Sequence, residues 1–177
     1  MNKQNCIYMI WPGGVGKTTV GALLAKELGR DFIDIDDVFK NTIQPVTPYV
    51  QEFWYECYIH RNTALFIETM KTIRPNTVIG LSWWFLVYPF SNDHLVEHAT
   101  TILLLPSKNI AESVEIIMPR QATRDFFLNI DHETERFSTR YNAYQGKWDI
   151  VIYTWTRTPE DIAREVSAVY NSYIQSL

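Results

Sequence analysis

Cysteine is nearly absent: among 177 residues only Cys6 and Cys57 occur, too few for a disulfide framework and without the spacing of a zinc site. A reducing, cytoplasmic setting is therefore expected. Positive charge is not in excess either. Sixteen Lys and Arg against twenty Asp and Glu leave a formal charge of −4, so no global field exists to hold a nucleic-acid backbone. Long apolar runs are missing as well. The richest stretch, residues 78–90, is broken by Gly80, Ser82 and Pro89, which excludes a membrane span and reads as a buried strand entering an aromatic loop. Residues 1–5 are polar, and the apolar run after them is far shorter than a signal-peptide core. No repeat, low-complexity tract or Gly/Ser linker divides the chain. With 46% hydrophobic and 20% charged residues, one well-buried domain over residues 1–177 is expected.

What the chain does have is alternation. Residues 7–10, 32–35, 77–81, 101–105 and 149–153 read as short buried strands. Helices are expected over 18–28 with Gly29 as the stop, from Pro48 to about Lys71 with Thr47 as cap, over 110–118, and from about His132 to Gln145. A last helix opens at Thr158-Pro159-Glu160-Asp161, with Ile162, Val166, Val169 and Tyr173 as its core face. The polar stretch at about 119–131 is expected to be a lid, and the helical region at about 46–72 to face a substrate. This pattern predicts an α/β fold of three layers, a mostly parallel sheet flanked by helices, with its ligand site beyond the strand carboxyl ends.

One of those ends carries a distinctive loop. Gly13-Gly14-Val15-Gly16-Lys17-Thr18 packs three of the seven glycines into four residues between a strand and a helix. Glycines let backbone N–H groups approach a phosphate chain, and the helix N-terminus adds a favourable dipole. Lys17 would neutralise the β- and γ-phosphates, Thr18 would offer its hydroxyl to Mg²⁺, and the nucleotide-binding set runs from Gly13 through Thr19. The cofactors implied are ATP and Mg²⁺. The P-loop pattern G-x-x-x-x-G-K-[ST] asks for glycine at position 11, where this chain has Trp11. The loop entrance must be reshaped or the indole must point away from the nucleotide.

The later apolar strands lack the terminal Asp of motor ATPases and GTPases, and neither an N-K-x-D nor a D-G-x-P-R segment occurs. The acids stand instead on the second strand, in Asp34-Ile35-Asp36-Asp37. From Gly14 to Gly21, through Leu24 to Gly29 and Phe32 to Asp36, the sequence resembles the opening of shikimate kinases. The likeness returns at Arg140, Tyr144, residues 148–152 and residues 158–163. The resemblance implies a P-loop fold with a nucleotide lid and transfer of the ATP γ-phosphoryl group to a hydroxyl. By that likeness Asp34 lies near Mg²⁺ through water and Asp36, on the same side of an extended strand, helps deprotonate the substrate hydroxyl. Arg120 and Arg124 fall in the lid, one covering adenine and one neutralising the transferring phosphoryl group, and Arg140 resembles the arginine that holds the acceptor carboxylate. Each has a plainer alternative. Asp36 and Asp37 would also suit the start of a helix, and Arg120, Arg124, Arg136 and Arg140 would also suit a solvated helical face.

The family pattern fails around the acceptor. The counterpart of its G-E-x-x-F-R segment is read at Gln51 to Glu56, with Glu56 in place of the arginine, and only Gly80 remains of its triple-glycine turn. Bulky aromatics, among them Trp54, Tyr58, Trp83, Trp84 and Phe85, stand there instead. As a wall they would suit a flat or less acidic acceptor than shikimate; as packing they would be core. The expected function is an ATP-dependent small-molecule kinase, monomeric or weakly dimeric, acting on a metabolite other than shikimate. A nucleoside, nucleotide or antibiotic kinase and a non-catalytic nucleotide-binding module are the alternatives.

Overall fold

The computed structural model describes residues 6–13, 16–85, 87–88, 99–123, 129–144 and 146–176, with only the backbone of Lys17. Strands Ile7–Trp11 (β1), Phe32–Asp34 (β2), Val78–Ser82 (β3), Thr100–Leu105 (β4) and Ile150–Tyr153 (β5) form one sheet in the order β2-β3-β1-β4-β5. Every neighbouring pair is parallel. Helices Lys17–Leu28 (α1), Ile35–Thr42 (α2), Val46–Thr72 (α3), Ile110–Gln121 (α4), Ile130–Ala143 (α5) and Pro159–Gln175 (α6) cover both faces. Alternate residues of β1 divide between the layers: Tyr8 and Ile10 join Phe39, Phe66 and Tyr144 on one face, while Ile7, Met9 and Trp11 join Leu24 and Val166 on the other. Burial on both sides is why the strands read as continuous apolar runs. Among the described residues no helix is long and apolar enough to cross a membrane.

The caps expected for α1 and α6 are present. Gly29 ends α1 in the left-handed region at φ 65°, and the Thr158 hydroxyl accepts from the Asp161 amide at 3.2 Å to open α6. The buried stripe of α6 departs from expectation: it is Ile162, Ala163, Val166, Ser167 and Tyr170, while Val169 is exposed and Tyr173 half-buried. Helix α4 continues through Pro119 to Gln121 rather than stopping at Met118. Helix α5 begins at Ile130 because Asn129, not a residue near His132, supplies the cap, accepting from the His132 amide at 2.9 Å.

Two further departures shape the site. Strand β2 ends at Asp34, whose Oδ1 accepts from the Asp36 amide at 3.0 Å and so caps α2. Asp36 therefore sits in the first turn of a helix and not on an extended strand, because a carboxylate two residues ahead offered its amide a partner. Helix α3 starts at Val46, with Pro45 rather than Thr47 in the cap position, and is broken at Trp54, whose φ of 69° and ψ of 159° are non-helical. Only glycine adopts that conformation without strain, which costs about 1–3 kcal/mol for other residues. Trp54→Gly should therefore raise the urea midpoint, by about 1 kcal/mol of added stability, whereas Trp54→Ala, which keeps a Cβ, should not. A lower midpoint for the glycine variant would show that the kink is unstrained.

Candidate active site

Because all five strands are parallel, their carboxyl ends lie on one side of the sheet. With β3 between β1 and β2, the ends at Trp11, Asp34 and Ser82 are adjacent, and a cavity of about 350 Å³ opens above them. Beside it, Gly16 enters α1 with φ 85°, and no side chain caps the first turn. Uncapped N–H groups at a helix start favour an anion. Trp11 is the last residue of β1, 1% exposed, packed in the layer of α1 and α6, and it also borders the cavity. Its φ is not positive, so strand geometry admits the indole where the loop pattern has glycine. Thr18 Oγ1 donates to Asp34 Oδ2 at 3.1 Å. That hydroxyl and carboxylate suit a hard divalent cation that takes its other oxygens from phosphate and water; among the described residues no three His, Cys, Asp or Glu side chains gather into a cage. Gln121, at the end of α4, donates to the Gly13 carbonyl at 2.7 Å.

Helices α2 and α3 and strand β3 converge on Asp36. Its Oδ1 accepts from Tyr58 Oη at 2.7 Å, Asn62 Nδ2 at 3.1 Å and Ser82 Oγ at 2.5 Å. Asn62 also donates to the Tyr58 hydroxyl at 3.0 Å. Burial, and next the negative charge of Asp36, raise the Tyr58 pKa well above the ordinary phenol value, so this hydroxyl remains a donor throughout the physiological range. Asn62 and Ser82 escaped the sequence reading. The available signal was a lone amide four residues after Tyr58 on the buried stripe of α3, and a lone hydroxyl between an apolar strand and two tryptophans.

The far end of the cavity is built by α5. Arg140 is 8% exposed and points Nη2 at the Tyr55 hydroxyl, 3.3 Å away. Arg136, one turn earlier, pairs with Glu133, and both guanidinium groups lie over the Tyr55 ring, at 5.5 and 5.9 Å. Arg136 and Glu133 thus border the cavity rather than forming a solvated face. Trp83 stacks on Phe137 and Tyr144 at 5.7 and 4.5 Å, Trp84 packs on Phe85 and the edge of Tyr58, and both tryptophans also border the cavity.

Other expected residues lie elsewhere. Trp54 is 79% exposed and does not border the cavity, because its backbone conformation swings the indole outward. Its glycine-like φ also corrects the register of G-E-x-x-F-R: the glycine falls on Trp54, Tyr58 takes the aromatic position, and buried Ile59 rather than exposed Glu56 takes that of the arginine. Thr19 and Arg120 are exposed, and neither borders the cavity. Gly14, Val15, Arg124 and the side chain of Lys17 lie outside the described residues.

Comparison with known proteins agrees with this layout. The family model described as shikimate kinase matches residues 13–171. A shikimate kinase of Psychrobacter sp. is 36% identical over 98 residues, a match covering 55% of this chain and only about half, 54%, of that protein. A shikimate kinase of Marinomonas sp. is 25% identical, with 94% of this chain and 92% of that protein covered. Among solved structures, the shikimate kinase from Acinetobacter baumannii in complex with shikimate superposes with a TM-score of 0.76 at 20% identity, covering 96% of this chain and 94% of the other. At that identity the superposition shows the fold alone. The family match over most of the length, however, is decisive: the chain belongs to the shikimate kinase family.

Proposed function

We propose that this protein transfers the γ-phosphoryl group of ATP to a hydroxyl of a small metabolite that carries an anionic group and is not shikimate. The observation that carries the reading is the position of Asp36, held by three donors in one cavity with the Thr18–Asp34 pair and with Arg140. The loop from Gly13 to Thr19 would hold the phosphates, with Lys17 against the β- and γ-groups. Mg²⁺, held through Thr18 and, by way of water, Asp34, would supply charge neutralisation on the phosphate oxygens. Arg124 is assigned to the transferring phosphoryl group and Arg120 to the adenine, both by likeness to the family lid.

Asp36 then accepts the proton of the acceptor hydroxyl as that oxygen bonds to the γ-phosphorus and the bond to the departing ADP oxygen breaks. Tyr58, Asn62 and Ser82 all bind Oδ1, which fixes the carboxylate plane and removes the rotation that would misplace its second oxygen. Arg140 and Arg136 orient the acceptor's anionic group. The names of the relatives point to shikimate as acceptor. Against it stand Ile59, which offers no carboxylate partner at the arginine position, and Trp83 and Trp84, which border the cavity where the family pattern has glycines.

In an ADP-release assay run over a panel of hydroxylated metabolites, turnover with shikimate should be at or near background while another acceptor carrying an anionic group is used. Efficient turnover with shikimate would overturn the acceptor assignment. Once an acceptor is found, Asp36→Asn should lower kcat by about 10²–10⁴-fold with little change in the KM for ATP; unchanged kcat would remove Asp36 from proton transfer. Lys17→Ala should abolish the thermal stabilisation conferred by a non-hydrolysable ATP analogue, and an undiminished shift would refute the phosphate contact.

A further inference from the structure

Phosphoryl transfer leaves one group in the cavity without a task. Glu133, in the first turn of α5, is 4% exposed and borders the cavity. Its Oε2 is engaged by Arg136. Its Oε1 has no hydrogen-bond partner among the described residues. His132 Nδ1 lies 3.5 Å from it, at the outer edge of hydrogen-bond range, and makes an ion pair only when protonated. A helix start and Arg136 account for an acid at this position, but both would be served equally at the surface, where water fills the remaining lone pairs. Buried, an unmatched carboxylate oxygen carries a desolvation penalty that only a donor removes.

The same cavity holds the opposite surplus. Trp83 and Trp84 are 7% and 2% exposed, and their indole N–H groups have no partner among the described residues. Among the described residues the Arg140 guanidinium meets the Tyr55 hydroxyl and ring. Residues with unmatched donors and a residue with an unmatched acceptor therefore border one cavity.

We infer that the acceptor is a hydroxylated zwitterion, its anionic group turned to Arg140 and its protonated amine donating to Glu133 Oε1. This rests on the kinase reading above and narrows its substrate class. An ammonium satisfies a buried carboxylate oxygen by a charge-assisted hydrogen bond, stronger than that from a neutral hydroxyl. A hydroxy acid without the amine, shikimate included, lacks this bond.

Calorimetric titration of the full chain with Mg²⁺ and a non-hydrolysable ATP analogue tests the assignment. The probes are L-homoserine against γ-hydroxybutyrate, L-threonine against β-hydroxybutyrate, threo-phenylserine against β-hydroxy-β-phenylpropionate, and shikimate. The aminated member of at least one pair should bind about tenfold or more tightly than its deaminated partner. In Glu133→Gln, isosteric but uncharged, that pair should come within about twofold while affinity for the analogue is kept. The preference of the unaltered chain is read without any substitution, so the test survives a variant that does not fold. Equal or tighter binding of the deaminated acids or shikimate, an unchanged ratio in Glu133→Gln, or no probe binding while the analogue binds overturns the zwitterion and leaves the kinase reading standing. Absence of analogue binding overturns the kinase reading instead.

Discussion

A buried carboxylate is tolerated in a protein when its oxygens are engaged, and Asp34 shows how much architecture such an engagement can fix. One oxygen caps α2 through the Asp36 amide, and the other receives the Thr18 hydroxyl from the first turn of α1. Two helices are thereby indexed to the end of one strand. The cap forces the chain to turn into helix immediately after β2, and that turn carries Asp36 to the point where Tyr58, Asn62 and Ser82 meet it. The start of α1 and the cluster around Asp36 are thus held in register by a single side chain.

The layer architecture was legible because parallel strands buried on both faces leave continuous apolar runs, and because caps such as Gly29 and Thr158 are local chemistry. The strand and helix on either side of the glycine cluster were legible from the apolar run before it and from the Lys17-Thr18 pair and amphipathic spacing after it. Asp36 was misplaced for a physical reason: D-I-D-D reads equally as the end of a strand and as the start of a capped helix, and only the tertiary position of Asp34 decides. The break at Trp54 could not be read, since residue propensity argues against tryptophan in a glycine conformation. Arg136 and Glu133 were hidden because charges three residues apart on a polar helix look like a solvent face until the aromatic wall opposite them is known.

That wall does not divide into core and site. Trp83 lies against Phe137 and Tyr144, Trp84 against Phe85 and Tyr58, and the same rings border the cavity. Where the family pattern has small flexible glycines, this chain has built rigid packing, so the shape of the cavity is set by the hydrophobic core itself. Selectivity and stability then share atoms, and changing one in isolation is difficult.

The hydrogen bond from Gln121 to the Gly13 carbonyl joins residues 108 positions apart in the chain. It ties Gly13 to the last turn of α4, and α4 packs against α5, which bears Arg136 and Arg140. A disturbance of the loop that broke this bond would therefore be felt at the helix that packs beside the arginines. By thermodynamic reciprocity, any help that the first bound partner gives the second through this tether must be returned in equal measure.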